Sequence, residues 1–116
     1  MDKFIVVGLG VFGKTLALAL MENGVEVVVV DSDMDNIQEI QENVTYALCL
    51  DATDEKALSS IGLSDFNVGI VCIGENFEAN ILTSVLLKNG GVKKVISKAS
   101  LPIHIKILKA VGIDEV

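Results

Sequence analysis

The sequence predicts an α/β fold, a Rossmann-like doubly wound parallel sheet of five strands in the order 3-2-1-4-5. Three observations carry that reading. The stretch Phe4 to Gly13, FIVVGLGVFG, sets the pattern G-x-G-x-x-G between an apolar run and a helical period. An acid, Asp31, stands roughly 20 residues further on, at the end of a second apolar run. Strand-like and helix-like stretches then alternate five times, which right-handed crossovers fold into one parallel sheet.

The first strand is read at Phe4–Val7, short and β-branched as a strand covered on both faces should be. In the turn after it, Gly8 can bend sharply without a Cβ, Gly10 lets a pyrophosphate approach the backbone, and Gly13 lets the helix lie close to the strand. The free N–H groups and positive dipole end of the first helix then face the phosphates. Phe12, Leu16, Ala19 and Leu20 are the expected inward face of that helix. The second strand, Val27–Val30 with Glu26 before it, ends in Asp31, whose carboxylate can accept hydrogen bonds from ribose hydroxyls.

Asp33 is the expected cap of a second helix reaching about Gln41, with Ile37 and Ile40 inward. The third strand is Tyr46–Leu50. Thr53 is the expected cap of the following helix, with Asp54 and Glu55 in its first turn and Gly62 at its end. Val68–Ile73 is the fourth strand, and Asn76 caps a longer helix that reaches Lys88 and stops at Asn89, Gly90 and Gly91. Lys94–Ser97 is the fifth strand. Ser100 is the expected cap of the last helix, with Pro102 in its first turn and Gly112 at its end. A full doubly wound sheet would add a sixth strand, which would begin where the sequence stops at Val116.

At 116 residues the length fits one domain, and 51% hydrophobic content with a mean hydropathy of +0.57 supplies its core. All nine basic residues are lysines and the net charge is −7, a poor match to nucleic acid or anionic lipid. No stretch resembles a membrane span or a signal peptide. Cys49 and Cys72 lie far apart in strand-like runs and read as small buried hydrophobes, which agrees with a reducing, cytoplasmic setting.

In such a sheet a ligand lies across the carboxyl ends of the strands, where the strand order reverses. That rule nominates Asp31, Ser32 and Asp33 after the second strand, and Asp51, Ala52 and Thr53 after the third. It also nominates Gly74, Glu75 and Asn76 after the fourth, and Lys98 after the fifth. Val11 and Phe12 in the glycine turn and Ile73 at the end of the fourth strand complete the expected cofactor-binding set. Asp33 and Thr53 serve equally as helix caps, and Asp51 either ends a strand or edges an adenine. Gly74 either opens the strand end to a ligand or marks a turn. Lys98 is either solvated or placed over a pyrophosphate, and Lys14 reads as a surface lysine. His104, the single histidine, reads as a surface or interface residue. No catalytic triad and no metal-ligand spacing is present.

With these residues placed, the sequence resembles the N-terminal, TrkA-N type domain of the RCK family, also called KTN. Its members are cytoplasmic regulatory subunits or domains of potassium channels and of Trk/Ktr-type uptake systems. The likeness rests on IVVGLGVFG, VVVVDSD, CLDATDEKAL, IVCIGEN with SVLLK, and SKAS followed by KILKAVGIDEV. It covers residues 1–116 as one nucleotide-binding domain. It implies that Gly8, Gly10, Gly13 and Asp31 bind pyrophosphate and ribose, that Asp51, Ala52 and Thr53 border the adenine, and that Lys98 approaches the phosphates. The ligand it implies is NAD(H), or alternatively ADP or ATP. Relatives that bind ATP often carry arginine where Val11 stands, and the absence of any arginine favours the dinucleotide.

The implied partner is an integral membrane potassium channel or transporter subunit. The protein would then sit at the inner face of the membrane as a homodimer or a larger ring, without enzymatic turnover. The last two helices, rich in Ile, Leu and Val from Ile81 to Leu87 and from Ile103 to Val111, are the expected self-association surface. The alternative function is the cofactor domain of an NAD-dependent oxidoreductase, which needs an acid–base residue near the nicotinamide that the sequence does not display.

Overall fold

The computed structural model describes residues 2–116. Five strands form a single parallel sheet: β1 (Lys3–Val7), β2 (Glu26–Asp31), β3 (Tyr46–Cys49), β4 (Val68–Val71) and β5 (Lys94–Ser97). Their order is β3-β2-β1-β4-β5, as expected from the sequence. β1 is the switch point, pairing with β2 on one side and β4 on the other, in registers that set Val7 opposite both Val30 and Val71. Beyond β5, Ile96 pairs in parallel with Glu115, which is the start of a sixth ladder position. Asp114 fastens it: its Oδ2 accepts from the Val95 N–H and the Lys88 ammonium, both at 2.7 Å. The Lys88 hydrogen bond, then that of Val95, holds the Asp114 carboxyl below its ordinary 3.8. That contribution to stability is full above the ordinary value and is lost as pH falls through the depressed one.

Alternation along the strands gives the sheet two apolar faces. Val6, Val27, Val29 and Ile70 point to the face covered by α1 (Val11–Glu22) and α2 (Met34–Ile40), where they meet Ala17, Ile37 and Ile40. Ile5, Val7, Val28, Val30, Val71 and Val95 point to the other face. There they meet Leu58 of α3 (Glu55–Ser59), Leu87 of α4 (Phe77–Asn89) and Leu108 of α5 (Pro102–Ala110).

Several local expectations are corrected. α1 turns Gly13, Leu16, Ala17 and Leu20 toward the sheet, whereas Phe12 and Ala19 are exposed. Glycine at position 13 lets the helix settle so closely that its inward stripe starts one residue later than apolar periodicity suggests. Thr53 is not the cap of α3: Asp54 is, accepting from the N–H groups of Lys56 and Ala57. That helix ends at Ser59 with Ser60 as its C-cap, and Gly62, at φ 81°, instead opens a short 3-10 turn over Leu63–Asp65. α5 starts from Leu101 with no side-chain cap, so Ser100 does not serve there, while Pro102 occupies its first turn as expected. β4 ends at Val71, leaving Cys72 and Ile73 in the loop that follows, and β3 ends at Cys49. Cys72 is buried but Cys49, on the edge strand β3, is exposed, its thiol 3.5 Å from the Ser32 carbonyl. Asp33 and Asn76 do cap α2 and α4.

α4 buries Asn80, Thr83, Ser84 and Leu87, a mostly polar face. Ser84 Oγ meets Ser97 Oγ of β5 at 2.5 Å, and Thr83 Oγ1 donates to the Ala52 carbonyl at 3.3 Å. Small hydroxyl side chains satisfied in this way bring the helix close to the sheet. The larger apolar residues Ile81, Leu82, Val85 and Leu86 are left wholly or partly outward.

Candidate functional site

The carboxyl ends of the strands open on one cleft of about 900 Å³. Of the residues nominated from the sequence at the strand ends and the glycine turn, all but Asp33 line it; Asp33 caps α2 instead. The β1–α1 turn brings Gly8, Gly10, Val11, Phe12 and Gly13, and the end of β2 brings Asp31 and Ser32. The loop after β3 contributes Asp51, Ala52 and Thr53, the β4–α4 loop Ile73, Gly74 and Asn76, and the residue after β5 is Lys98.

The turn is built as the spacing requires. Gly8 has φ +97°, a conformation that side chains resist, and its N–H donates to the Val30 carbonyl at 2.9 Å. A Cβ on Gly13 would lie 1.9 Å from the Gly8 carbonyl oxygen, so only glycine lets α1 start this close to β1. A Cβ on Gly10 would meet nothing within 4 Å, because this glycine faces the open cleft. Gly10 also precedes α1 without any side-chain cap, and the first turn holds no acid. The first N–H groups of the helix and its positive dipole end therefore have no protein anion to meet.

Asp31 supports this turn. Its Oδ2 accepts from the Leu9 N–H at 2.7 Å and from Asn36 Nδ2 at 3.4 Å, and its Oδ1 accepts from the Asp33 N–H at 2.8 Å. A carboxylate offers about four acceptor positions, so one remains for a hydroxyl group in the cleft. Asp51 plays a similar part on the next loop, accepting on Oδ1 from both the N–H (2.9 Å) and the hydroxyl (2.6 Å) of Thr53. Those two bonds, the hydroxyl first, hold its carboxyl below the ordinary range. Ala52, nearly buried, floors the cleft between them.

On the opposite side Lys98 carries its ammonium 5.2 Å from the centroid of the Phe12 ring, bridging from β5 to α1. Burial pushes the neighbouring Cys72 thiol up to about 11, against a weaker pull from Lys98, so this thiol stays protonated and inert at neutral pH. Lys14 is directed away, paired with Glu39 of α2. His104 is half-buried and stacked on Phe77, with ring centroids 3.7 Å apart. Among the described residues no group of three or more His, Cys, Asp or Glu side chains is arranged to hold a metal ion.

The model of the TrkA-N domain matches residues 4–116. The chain belongs to the TrkA-N domain family. It is 42% identical over 114 residues to Ktr system potassium uptake protein C of Bacillus subtilis, an alignment covering 98% of this chain and 52% of that protein. It is 35% identical over 114 residues to Ktr system potassium uptake protein A of the same organism, covering 98% and 51%. This TrkA-N domain thus spans about half the length of the curated relatives it matches. Among solved structures, the fold is shared with the NAD(P)-binding domain of an exopolyphosphatase-related protein from Archaeoglobus fulgidus. There the TM-score is 0.88 at 23% identity, covering 100% of this chain and 87% of that one. The fold is shared also with the GsuK channel bound to NAD, at a TM-score of 0.83 and 17% identity over 99% of this chain and 21% of that one.

The sequence reading of the site missed Asn36, Thr15 and Asn80. Asn36 lies five residues beyond Asp31, a helix turn away, and its contact with that carboxylate follows from the helix that Asp33 caps. Thr15 lines the cleft from the second turn of α1. Asn80 lies one turn into α4, in the direction from which side chains lean back toward a helix N-terminus.

The carboxylate of Asp31 holds the glycine turn independently of any ligand. Asp31→Ala is expected to lower stability by about 2 kcal/mol, the scale of hydrogen bonds to a charged group. Urea denaturation of the ligand-free protein checks this, and an unchanged midpoint would contradict it.

Proposed function

We propose that this TrkA-N domain is a nucleotide-binding regulatory domain of a potassium uptake system, and that NAD(H) is its preferred ligand over ADP or ATP. The observation that carries the proposal is the pairing of an uncapped helix N-terminus, open at Gly10, with a carboxylate held at the end of β2. Phosphate groups suit the first, and a ribose diol suits the acceptor position left on the second. The residues fit the group. Gly10 leaves room where a pyrophosphate would approach, Ala52 and Thr53 border the place of the adenine, and Lys98 brings a cation into the cleft, 5.2 Å from the Phe12 ring of the turn. Asp33 stands close by and the chain has no arginine, so a 2′-phosphate would meet negative charge. Val11, 86% exposed at the mouth of the cleft, offers nothing to the terminal phosphate of ATP.

The relatives named potassium uptake proteins supply the setting, in which a membrane potassium transporter subunit is the partner and the domain works on the cytoplasmic side of the membrane. No helix among the described residues is long and apolar enough to cross a membrane. The relatives named potassium uptake proteins favour a domain that regulates over one that turns over its ligand.

Self-association through α4 and α5 belongs to the same proposal. Leu82 of α4, left outward because that helix turns its hydroxyl face inward, and Leu101, Ile103 and Val111 in and beside α5 are each at least 40% exposed.

Isothermal titration calorimetry tests the ligand. NADH is expected to bind at least about tenfold more tightly than NADPH, corresponding to loss of one hydrogen bond to a charged group. Gly10→Ala is expected to weaken NADH while leaving the denaturation midpoint within error, since its Cβ would enter only open space. Equal affinity for NADH and NADPH would contradict the role of Asp31, and tight ATP binding without NADH binding would contradict that of Val11. Sedimentation at micromolar concentration is expected to show dimer; monomer alone would contradict the α4–α5 surface.

A further inference from the structure

The two edges of the sheet are finished differently. At β5 the outer backbone is occupied: the Ser97 N–H donates to the Glu115 carbonyl at 2.9 Å, the Glu115 N–H donates to the Val95 carbonyl at 3.2 Å, and Asp114 accepts from the Val95 N–H. Lys94 and Glu115 set a charged pair along that edge as well. β3 has no such cover. The Thr45 N–H donates inward to the Val27 carbonyl at 3.0 Å, so strand alternation turns the N–H and C=O groups of Tyr46 and Leu48 away from β2. Among the described residues these outward groups meet no backbone partner. The run Val44 to Leu50, VTYALCL, also lacks the charges and prolines that ordinarily keep an edge from pairing. Tyr46 is 61% exposed on it, and Cys49 is exposed too. An uncharged run of high strand propensity on an open edge is a template for a further strand.

We propose that β3 is a self-recognition edge, which pairs antiparallel with β3 of a second copy of this chain about a two-fold axis at Ala47. In that register Tyr46 stands opposite Leu48 of the second copy, and Leu48 opposite its Tyr46. Each such pair exchanges both of its N–H···O bonds, so the outward groups of both strands are satisfied together. Tyr46 and Leu48 lie on one face, beside Val28 and Val30 of β2, so each tyrosine ring covers the leucine across the axis. On the other face the small Ala47 meets its own copy and Thr45 meets Cys49. No pair sets like charges together, which decides the occupant for a chain of net charge −7. Here two acidic copies can touch without opposing carboxylates, and the antiparallel arrangement closes as a symmetric dimer. Two four-residue strands bury little side-chain area, so the pairing is weak and forms at high concentration. It uses the end of the sheet opposite α4 and α5, and is independent of association there.

Amide hydrogen exchange, followed by NMR on the intact chain at two concentrations, tests this. The Tyr46 and Leu48 amides are expected to exchange about tenfold more slowly at about 1 mM than at about 10 μM, as pairing shields them. The Ala47 amide, which points to β2, is expected to be protected at both. Tyr46→Lys places a cation on the pairing edge at an exposed site. It is expected to abolish the concentration dependence and leave the denaturation midpoint within error. Leu82→Lys, on the outer face of α4, is expected to preserve the dependence. Ala47→Cys combined with Cys49→Ser is expected to form a disulfide-linked dimer with oxidised glutathione, because facing residues of a non-hydrogen-bonded pair lie about 4.5 Å apart at Cα. Exchange at Tyr46 and Leu48 that does not depend on concentration would overturn the second copy as occupant, leaving the edge to water or to a strand of another protein. A dependence that Leu82→Lys removes would assign the shielding to α4 and overturn the β3 pairing. Shielding without the Ala47→Cys cross-link would overturn the antiparallel register.

Discussion

The hydrogen bond from the Leu9 N–H to Asp31 Oδ2, 2.7 Å long, is the contact on which the site depends. It joins the end of β2 to the middle of the glycine turn, so the turn cannot relax without displacing the carboxylate, and the reverse. Gly8 and Gly13 define the same geometry from the other side, one by its left-handed backbone and the other by the missing Cβ against the Gly8 carbonyl. The result is a helix N-terminus held open toward solvent beside a carboxylate that already accepts three hydrogen bonds from the protein.

The same economy runs through the rest of the cleft. Asp51 organises Thr53, Asn76 caps α4, and Asn80 joins the β4 and β5 ends through their carbonyls. Asp31, Asp51, Asn76 and Asn80 at the strand ends each satisfy backbone groups of the adjoining loops. Binding here is therefore coupled to the stability of the loops themselves.

Much of this was legible in the sequence because it follows from backbone rules. The glycine spacing, the acid at the end of β2 and the alternation of elements fix the sheet order and the cleft, and Asp33, Asn76 and Pro102 mark helix starts by their chemistry. What was not legible depends on packing. Asp54 displaces Thr53 as a cap because Thr53 is held by Asp51, a preference that capping frequencies do not separate. The inward face of α4 is polar because Ser84 and Ser97 satisfy each other across elements 13 residues apart, so its apolar residues misidentify the core side. Cys49 reads as a buried small residue, yet it lies on the edge strand. Asn80 carries no sequence signal at all; its orphaned oxygen appears only when the strand ends are seen together.

The most direct measurement is an amide NMR titration of the 15N-labelled protein with NADH. The account predicts the largest shift changes at Gly10, Val11 and Phe12, with accompanying changes at Leu9, Ser32 and Thr53, and little change along the outer faces of α4 and α5. Changes confined to those outer faces, or none at the glycine turn at saturating NADH, would contradict the claim that Asp31 and the open N-terminus of α1 form a dinucleotide site.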